Sequence, residues 1–352
     1  MAIPAHVSTE LDAAARGRAL GRARRTELQA SFAGYARLFD AVGARPEQVR
    51  AWGEQALVST AEWAPRLAAE MTGMADGAGL ENWQLGALNA RTEVLAAAAS
   101  DGEGECSTSV VLPGTGIAPR TVQTWDWHDV LRNGMLLHSL QPRPGHHVCT
   151  FTEFGVVGKI GVNSAGLGLH FNVLRHHSDH ARIGVPVHVV ARRILDEATT
   201  TSEAADLAAS ARLSASSVIT VVTFDGRDSA ATALEICPAG VAQLPVDETG
   251  TLLHTNHFLD PWLAAGERTE PDVSTTHQRL ESLHRQAGAL RGEDRTDRAH
   301  ALRAVCAHAD PQQPPHQRWE TLATISLDLS AHRLHVHPGG PCNVAAETWQ
   351  SA

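Results

Sequence analysis

Asp101-Gly-Glu-Gly-Glu-Cys106-Ser-Thr-Ser109 divides this 352-residue chain into two regions of unlike pattern. Upstream, Leu28, Phe32, Tyr35, Phe39 and Val42 recur at steps of four and three, the spacing of one helical face. Downstream, short apolar runs open at Val110 and Thr121, and the pattern is mostly strand. A cysteine heading the strand-rich region, behind an acidic, glycine-bearing segment, is where a self-cleaving hydrolase exposes a new N-terminal nucleophile. Glu105–Cys106 is then the scissile peptide.

A nucleophile placed at a chain terminus can use its own α-amino group as the base that takes the thiol proton. The reference values, about 8.5 for a thiol and roughly 7.7 to 8.0 for the amine, lie close enough for proton exchange near neutrality. The competing reading of Cys106 is an ordinary buried thiol.

The composition is that of a globular chain, with 43% apolar and 19% charged residues. A formal charge of −10 argues against nucleic acid as a partner. The first residues lack a basic head followed by an apolar run, and no stretch reaches the roughly 20 apolar residues of a membrane span, so a cytoplasmic location away from membranes is expected. Cys106, Cys149, Cys237, Cys306 and Cys342 are widely spaced with no Cys-x-x-Cys pair, which argues against both a disulfide framework and a zinc site. Lys159 is the only lysine.

Helices are expected from Leu28, from Pro46, over 65–74 with Gly73, Gly77 and Gly79 ending it, and from an Asn82 cap. Arg16, Arg18, Arg22, Arg24 and Arg25 read as a solvated helix face ahead of them. Strands are expected at 107–112, 121–127, 147–152, 156–162 and 167–173, several of them apolar on successive residues and so covered on both faces. Two helices follow, the second behind a Thr200/Glu203 capping box. Further strands are expected at 217–224, 232–236 and 252–255, helices at 274–290 and 297–308, and a closing hairpin at 322–328 and 332–337. Helices set between groups of strands suit an α+β, four-layer αββα arrangement.

Four stretches in this order look like one family: Cys106-Ser-Thr-Ser; Gln123-Thr-Trp-Asp-Trp; Glu153-Phe-Gly-Val-Val-Gly-Lys-Ile-Gly-Val-Asn-Ser-Ala-Gly-Leu; and His254-Thr-Asn-His-Phe-Leu. The chain resembles the cysteine N-terminal-nucleophile hydrolases similar to acyl-CoA:isopenicillin N acyltransferase, over residues 45 to 300. That resemblance implies the αββα sandwich and autocatalytic cleavage between a pre-cleavage helical chain 1–105 and a catalytic chain 106–352, held as a heterodimer. It further implies hydrolysis or transfer of the acyl group of a small N-acyl amide, with acyl-CoA or an amine acceptor as further partners and no cofactor.

Position by position, Cys106 becomes nucleophile and free amine, Asp126 the carboxylate orienting that amine, and Asn256 an oxyanion donor. Trp125, Trp127, His257 and Phe258 fall near the pocket, and Glu105 precedes the cut. Chemically, a carboxylate is the natural acceptor for a positioned amine, and an amide N–H on a developing oxyanion is worth about 3 to 4 kcal/mol. From the residues alone, Asp126 reads equally as a turn residue, Asn256 as a strand-end backbone partner, and Glu153 as an ion-pair member. Two positions depart from the family. Gln123 stands three residues before Asp126, where the bile-salt-hydrolase branch has arginine. Thr276 replaces an arginine common in the family, leaving Arg279 as the nearest and the charge around the pocket in question.

Two other readings stay open. The twenty histidines, including His146-His147, His176-His177, His180, His332, His335 and His337, point to a metal-dependent amidohydrolase, although no His-Glu-x-x-His pattern is present. An unprocessed relative acting as a small-molecule-binding protein is the non-enzymatic alternative.

Overall fold

The computed structural model describes residues 2–98, 105–269 and 274–352. Two sheets lie at its centre. The larger has eight strands in the order Ala5–Val7, Met135–Arg143, His146–Glu153, Ile160–Asn163, Leu167–Val173, Ser217–Phe224, Ser229–Cys237 and Gly240–Pro245. Apart from the parallel pairing of Ala5–Val7 with Met135–Arg143, neighbours run antiparallel. The smaller sheet orders Thr251–His254, Cys106–Val111, Arg120–His128, Trp319–Asp328, Arg333–Pro338 and Gln350–Ser351.

The sheets stack on apolar side chains, with Cys106–Val111 against Leu167–Val173 of the larger sheet. At Gly168 a Cβ would come within 2.7 Å of Leu329 Cδ2 and 2.9 Å of Leu327 Cδ1, so the close approach of the sheets there requires glycine. Helices Val187–Glu197 and Thr201–Ser210 pack on the larger sheet, and Thr276–Arg285 and Arg295–Ala301 on the smaller, giving the four layers that the element order implies. With both faces covered, Ser217–Phe224 is buried at every position but Thr223, as its unbroken apolar run requires. The Thr200/Glu203 capping box forms, with Thr200 Oγ1 accepting from the Glu203 N–H at 3.1 Å.

Upstream of Cys106 the chain is helical over Ala13–Ala23, Arg25–Ala41, Pro46–Trp63, Pro65–Ala78, Asn82–Asn89 and Arg91–Ala97. Several details depart from the sequence reading. The helix from Pro65 runs on to Ala78, where Gly79 closes it at φ 68°, because Gly73 and Gly77 lie inside it and let it press on Ala13–Ala23. A Cβ at Gly77 would fall 2.4 Å from Arg18 O. Asn82 is the first helical residue and Glu81 the cap. Arg16 is buried rather than solvated, its Nη2 lying 2.6 Å from Glu70 Oε2 while Arg192 Nη1 lies 3.0 Å from Oε1. Strands Met135–Arg143 and Gly240–Pro245 went unread, and Ala5–Val7 adds a strand to a segment expected to be wholly helical. Among the described residues no helix is long and apolar enough to cross a membrane.

Candidate active site

Cys106 begins an inner strand of the smaller sheet, opposite Trp125, and is 2% exposed. Its neighbours hold both flanking peptide groups. The Cys106 N–H donates to Asn256 Oδ1 at 2.7 Å. Its carbonyl accepts from Arg279 Nη1 at 2.6 Å and from Asn172 Nδ2 at 3.3 Å. One residue back, the Glu105 carbonyl accepts from the Asp126 N–H at 2.9 Å. The Glu105 carboxylate is seated by Ser274 Oγ at 2.6 Å, Thr275 Oγ1 at 2.7 Å and Thr275 N at 3.0 Å, with Arg279 Nε at 3.3 Å. The peptide between Glu105 and Cys106 is thus fixed on both sides before any chemistry.

The sheets bring these groups together. Pairing of Cys106–Val111 with Arg120–His128 sets Asp126 beside the 105–106 peptide, and pairing with Thr251–His254 delivers Asn256 just beyond the strand end. Thr276 Oγ1 accepts from the Asn256 N–H at 2.8 Å, so the departure from arginine at that position supplies a backbone anchor. The cation comes one helical turn later. Arg279, 5% exposed, spans Cys106 O, Ser107 Oγ at 2.9 Å and Asn256 Oδ1 at 3.0 Å, which answers the question about the charge arrangement.

Asn256 makes a different contact from the one expected. Its Oδ1 is committed to two donors, Cys106 N and Arg279 Nη2, and its Nδ2 donates to Val173 O at 2.8 Å. In the continuous chain it therefore anchors the peptide nitrogen of Cys106. His257 bonds Thr276 Oγ1 through Nδ1 at 2.9 Å, and Phe258 packs edge-on to His176 with centroids 5.4 Å apart. Both are buried, but neither shares a hydrogen bond or ring contact with Cys106 among the described residues.

Burial and the Asp126 carboxylate push the Cys106 thiol up to about 12, against the Arg279 guanidinium and the Asp126 N–H. Burial also lifts Asp126 to about 7. Its Oδ1 accepts from Thr321 Oγ1 at 2.6 Å, whereas Oδ2 is buried with no hydrogen-bond partner among the described residues. A carboxylate oxygen without a hydrogen-bond partner among the described residues thus sits close enough to the Cys106 thiol to raise it.

Behind Trp125 lies a second charged cluster that the sequence reading missed apart from Glu153. Glu153 accepts from Tyr35 Oη, from Arg91 Nε at 3.1 Å and from Lys159 Nζ. Lys159 Nζ sits 3.5 Å from the Trp125 ring centroid, and Trp125 stacks on Trp127. Although burial works against it, Arg91 and Lys159 hold the Glu153 carboxylate down at about 2. Asn172, also missed, accepts from Thr108 Oγ1 at 2.7 Å and from Gln123 Nε2 at 3.2 Å. An asparagine inside an apolar strand run was its available signal. The histidine runs read as metal ligands do not gather into a donor set among the described residues.

Residues 118–341 match the family model described as acyl-coenzyme A:6-aminopenicillanic acid acyl-transferase, which is more than half of the chain. The chain belongs to that family. Within the acyl-transferase family, the 40 kDa form of acyl-coenzyme A:6-aminopenicillanic-acid-acyltransferase from Emericella nidulans is 30% identical over 239 residues. That alignment covers 67% of this chain and 63% of the relative, so the match spans less than two thirds of the relative's length. Among solved structures, penicillin V acylase from Agrobacterium tumefaciens is similar at 14% identity and TM-score 0.45, over 66% of this chain and 83% of that one. A variant of the conjugated bile acid hydrolase from Clostridium perfringens is similar at 12% identity and TM-score 0.48, over 70% of this chain and 92% of that one.

Proposed function

We propose that the chain is an N-terminal-nucleophile cysteine enzyme that cuts itself between Glu105 and Cys106 and then hydrolyses or transfers the acyl group of a small N-acyl amide. The observation that carries this reading is the clamp on the 105–106 peptide, with Asp126 N–H on the Glu105 carbonyl and Asn256 Oδ1 on the Cys106 nitrogen.

In processing, Asp126 takes the thiol proton through its unpartnered Oδ2 and Cys106 Sγ attacks the Glu105 carbonyl carbon. The oxygen already receives the Asp126 N–H, so developing negative charge meets a preset donor. The C–N bond breaks, the nitrogen receives the proton back, and a thioester links Glu105 to Sγ. Water hydrolyses that ester, leaving a carboxylate on Glu105 and a free amine on Cys106.

In turnover the amine replaces Asp126 as base, and Asp126 orients it. The thiolate attacks the substrate carbonyl and the leaving amine takes the proton. Water or an amine acceptor then resolves the thioester. The relative's name supplies acyl-coenzyme A as a candidate acyl donor. Freed from Cys106 N–H, Asn256 can turn an N–H to the substrate oxyanion, the role its family position implies. Trp125, cross-strand from Cys106, is the nearest candidate substrate wall, with His257 and Phe258 further out.

Gel electrophoresis with Edman sequencing tests the reading. Wild-type protein yields a fragment beginning Cys-Ser-Thr-Ser, and Cys106→Ala stays whole. An uncut wild-type chain that still turns over N-acyl amides would overturn it.

A further inference from the structure

We infer that Cys306, His308 and Cys342 form a zinc-class metal site that is separate from the Cys106 chemistry. The chain segment Cys306-Ala307-His308, behind the helical turn 303–305, meets the turn Pro341–Asn343, which carries Cys342. Three donor atoms, two sulfurs and one imidazole nitrogen, lie within 4.8 Å of one another. Cys342 Sγ stands 3.7 Å from His308 Nε2. With zinc–sulfur bonds of about 2.3 Å and zinc–nitrogen bonds of about 2.0–2.1 Å, a tetrahedral ion sets that edge at about 3.6 Å. That pair therefore already stands at ligand spacing, and Cys306 Sγ lies within 4.8 Å of both.

The surroundings suit a metal better than a free thiol pair. The carbonyl contacts of both sulfurs are long, Cys306 Sγ at 3.9 Å from Ala307 O and Cys342 Sγ at 3.9 Å from Arg303 O, and Cys306 also interacts with the Cys342 backbone and thiol and with Thr321. Gly340 leaves the space that Cys306 Sγ occupies, since a Cβ there would lie 2.3 Å from the sulfur. Cys306 and Cys342 are half-buried and His308 is exposed, so an ion can enter from solvent. A disulfide would leave the imidazole without a role, whereas a soft divalent ion uses all three donors and takes water as the fourth.

The site also reaches the centre of the molecule. Ala307, between two of the ligands, donates its N–H to Thr321 Oγ1 at 2.9 Å and accepts the Thr321 N–H at 3.1 Å, and Thr321 Oγ1 in turn bonds Asp126. A bound ion would join two surface turns and pin the segment that holds Thr321.

The full chain, purified without a histidine tag and dialysed against zinc and then metal-free buffer, is expected to retain about one zinc per chain by mass spectrometry. Cobalt loading should give thiolate-to-cobalt charge transfer and the intense visible bands of a tetrahedral ion. His308→Ala, on an exposed side chain, and Cys342→Ser should each weaken zinc binding by about 100-fold or more while circular dichroism is unchanged. Cys149→Ser should retain the metal. Zinc below about a tenth of an equivalent in the wild type, full retention in both ligand variants, or a Cys306–Cys342 disulfide in protein isolated without oxidant overturns the proposal.

Discussion

Two carboxylates of equal burial, Glu153 and Asp126, are treated in opposite ways. Glu153 is surrounded by Arg91, Lys159 and Tyr35, so its charge is fully matched and its pKa is held down at about 2. Asp126 receives one hydroxyl on one oxygen and, among the described residues, no hydrogen bond on the other, and burial lifts it to about 7. A matched carboxylate is fixed as an anion and fastens elements together. An unmatched one exchanges a proton near neutrality, which is what acid–base work needs.

Replacing each carboxylate separates the two cases. Asp126→Asn is expected to slow processing by about 10²- to 10⁴-fold, the worth of a positioned acid–base group. Stability should move the other way. Because the folded pKa lies above the ordinary 3.8, ionisation of Asp126 opposes folding, absent below pH 3.8 and complete above about 7. In a Cys106→Ala background, where the chain stays whole, urea unfolding should therefore find Asp126→Asn stabilising at pH 8 and neutral at pH 3.5. Equal stability at both pH values would remove the contrast with Glu153.

Glu153→Gln strips the buried Arg91 of its counter-charge and leaves Lys159, which burial already lowers to about 7, to shed its proton, and it should cost about 3 to 5 kcal/mol in the same unfolding assay. In the wild type, the stability from Glu153 is present above its ordinary 4.5 and lost as pH falls toward about 2. A loss below about 1 kcal/mol would mean that water already satisfies the cluster.

Thr321→Val gives the smallest effect. Losing the hydroxyl that lowers the Asp126 pKa should move the midpoint of the processing-rate profile upward by up to about one pH unit, with the plateau changed little. An unmoved midpoint would detach Asp126 from the rate.

Around Cys106 much was legible, because local spacing carries it. The break in pattern at 101–109 placed Cys106 at a strand start, whereas Asp126 and Asn256 came from the family resemblance, and strand pairing sets both beside it. Thr321 was not legible. It lies 195 residues from Asp126 and is aimed at it by an irregularity in strand register between Thr321 and Ala323. Arg279 was read only as a neighbour of a missing cation, since helical phase decides that it faces Cys106. Tyr35 and Arg91 serve a carboxylate in the other half of the chain, and periodicity records only that such positions are buried. Arg16 failed for the same reason: an arginine run looks wet until its acid arrives from a distant helix.

Glu70 belongs to the stretch before Cys106 and Arg192 to the stretch after it, while Ala5–Val7 extends a sheet made otherwise from the later stretch. Severing the chain at residue 105 would therefore leave no free-standing halves. Pulling them apart would take the Arg192 guanidinium away from Glu70 and strip the sheet of a margin, so a chain nicked there should travel through dilution and gel filtration as one particle. A cut at that bond would liberate an amine while the tertiary structure stays closed around it.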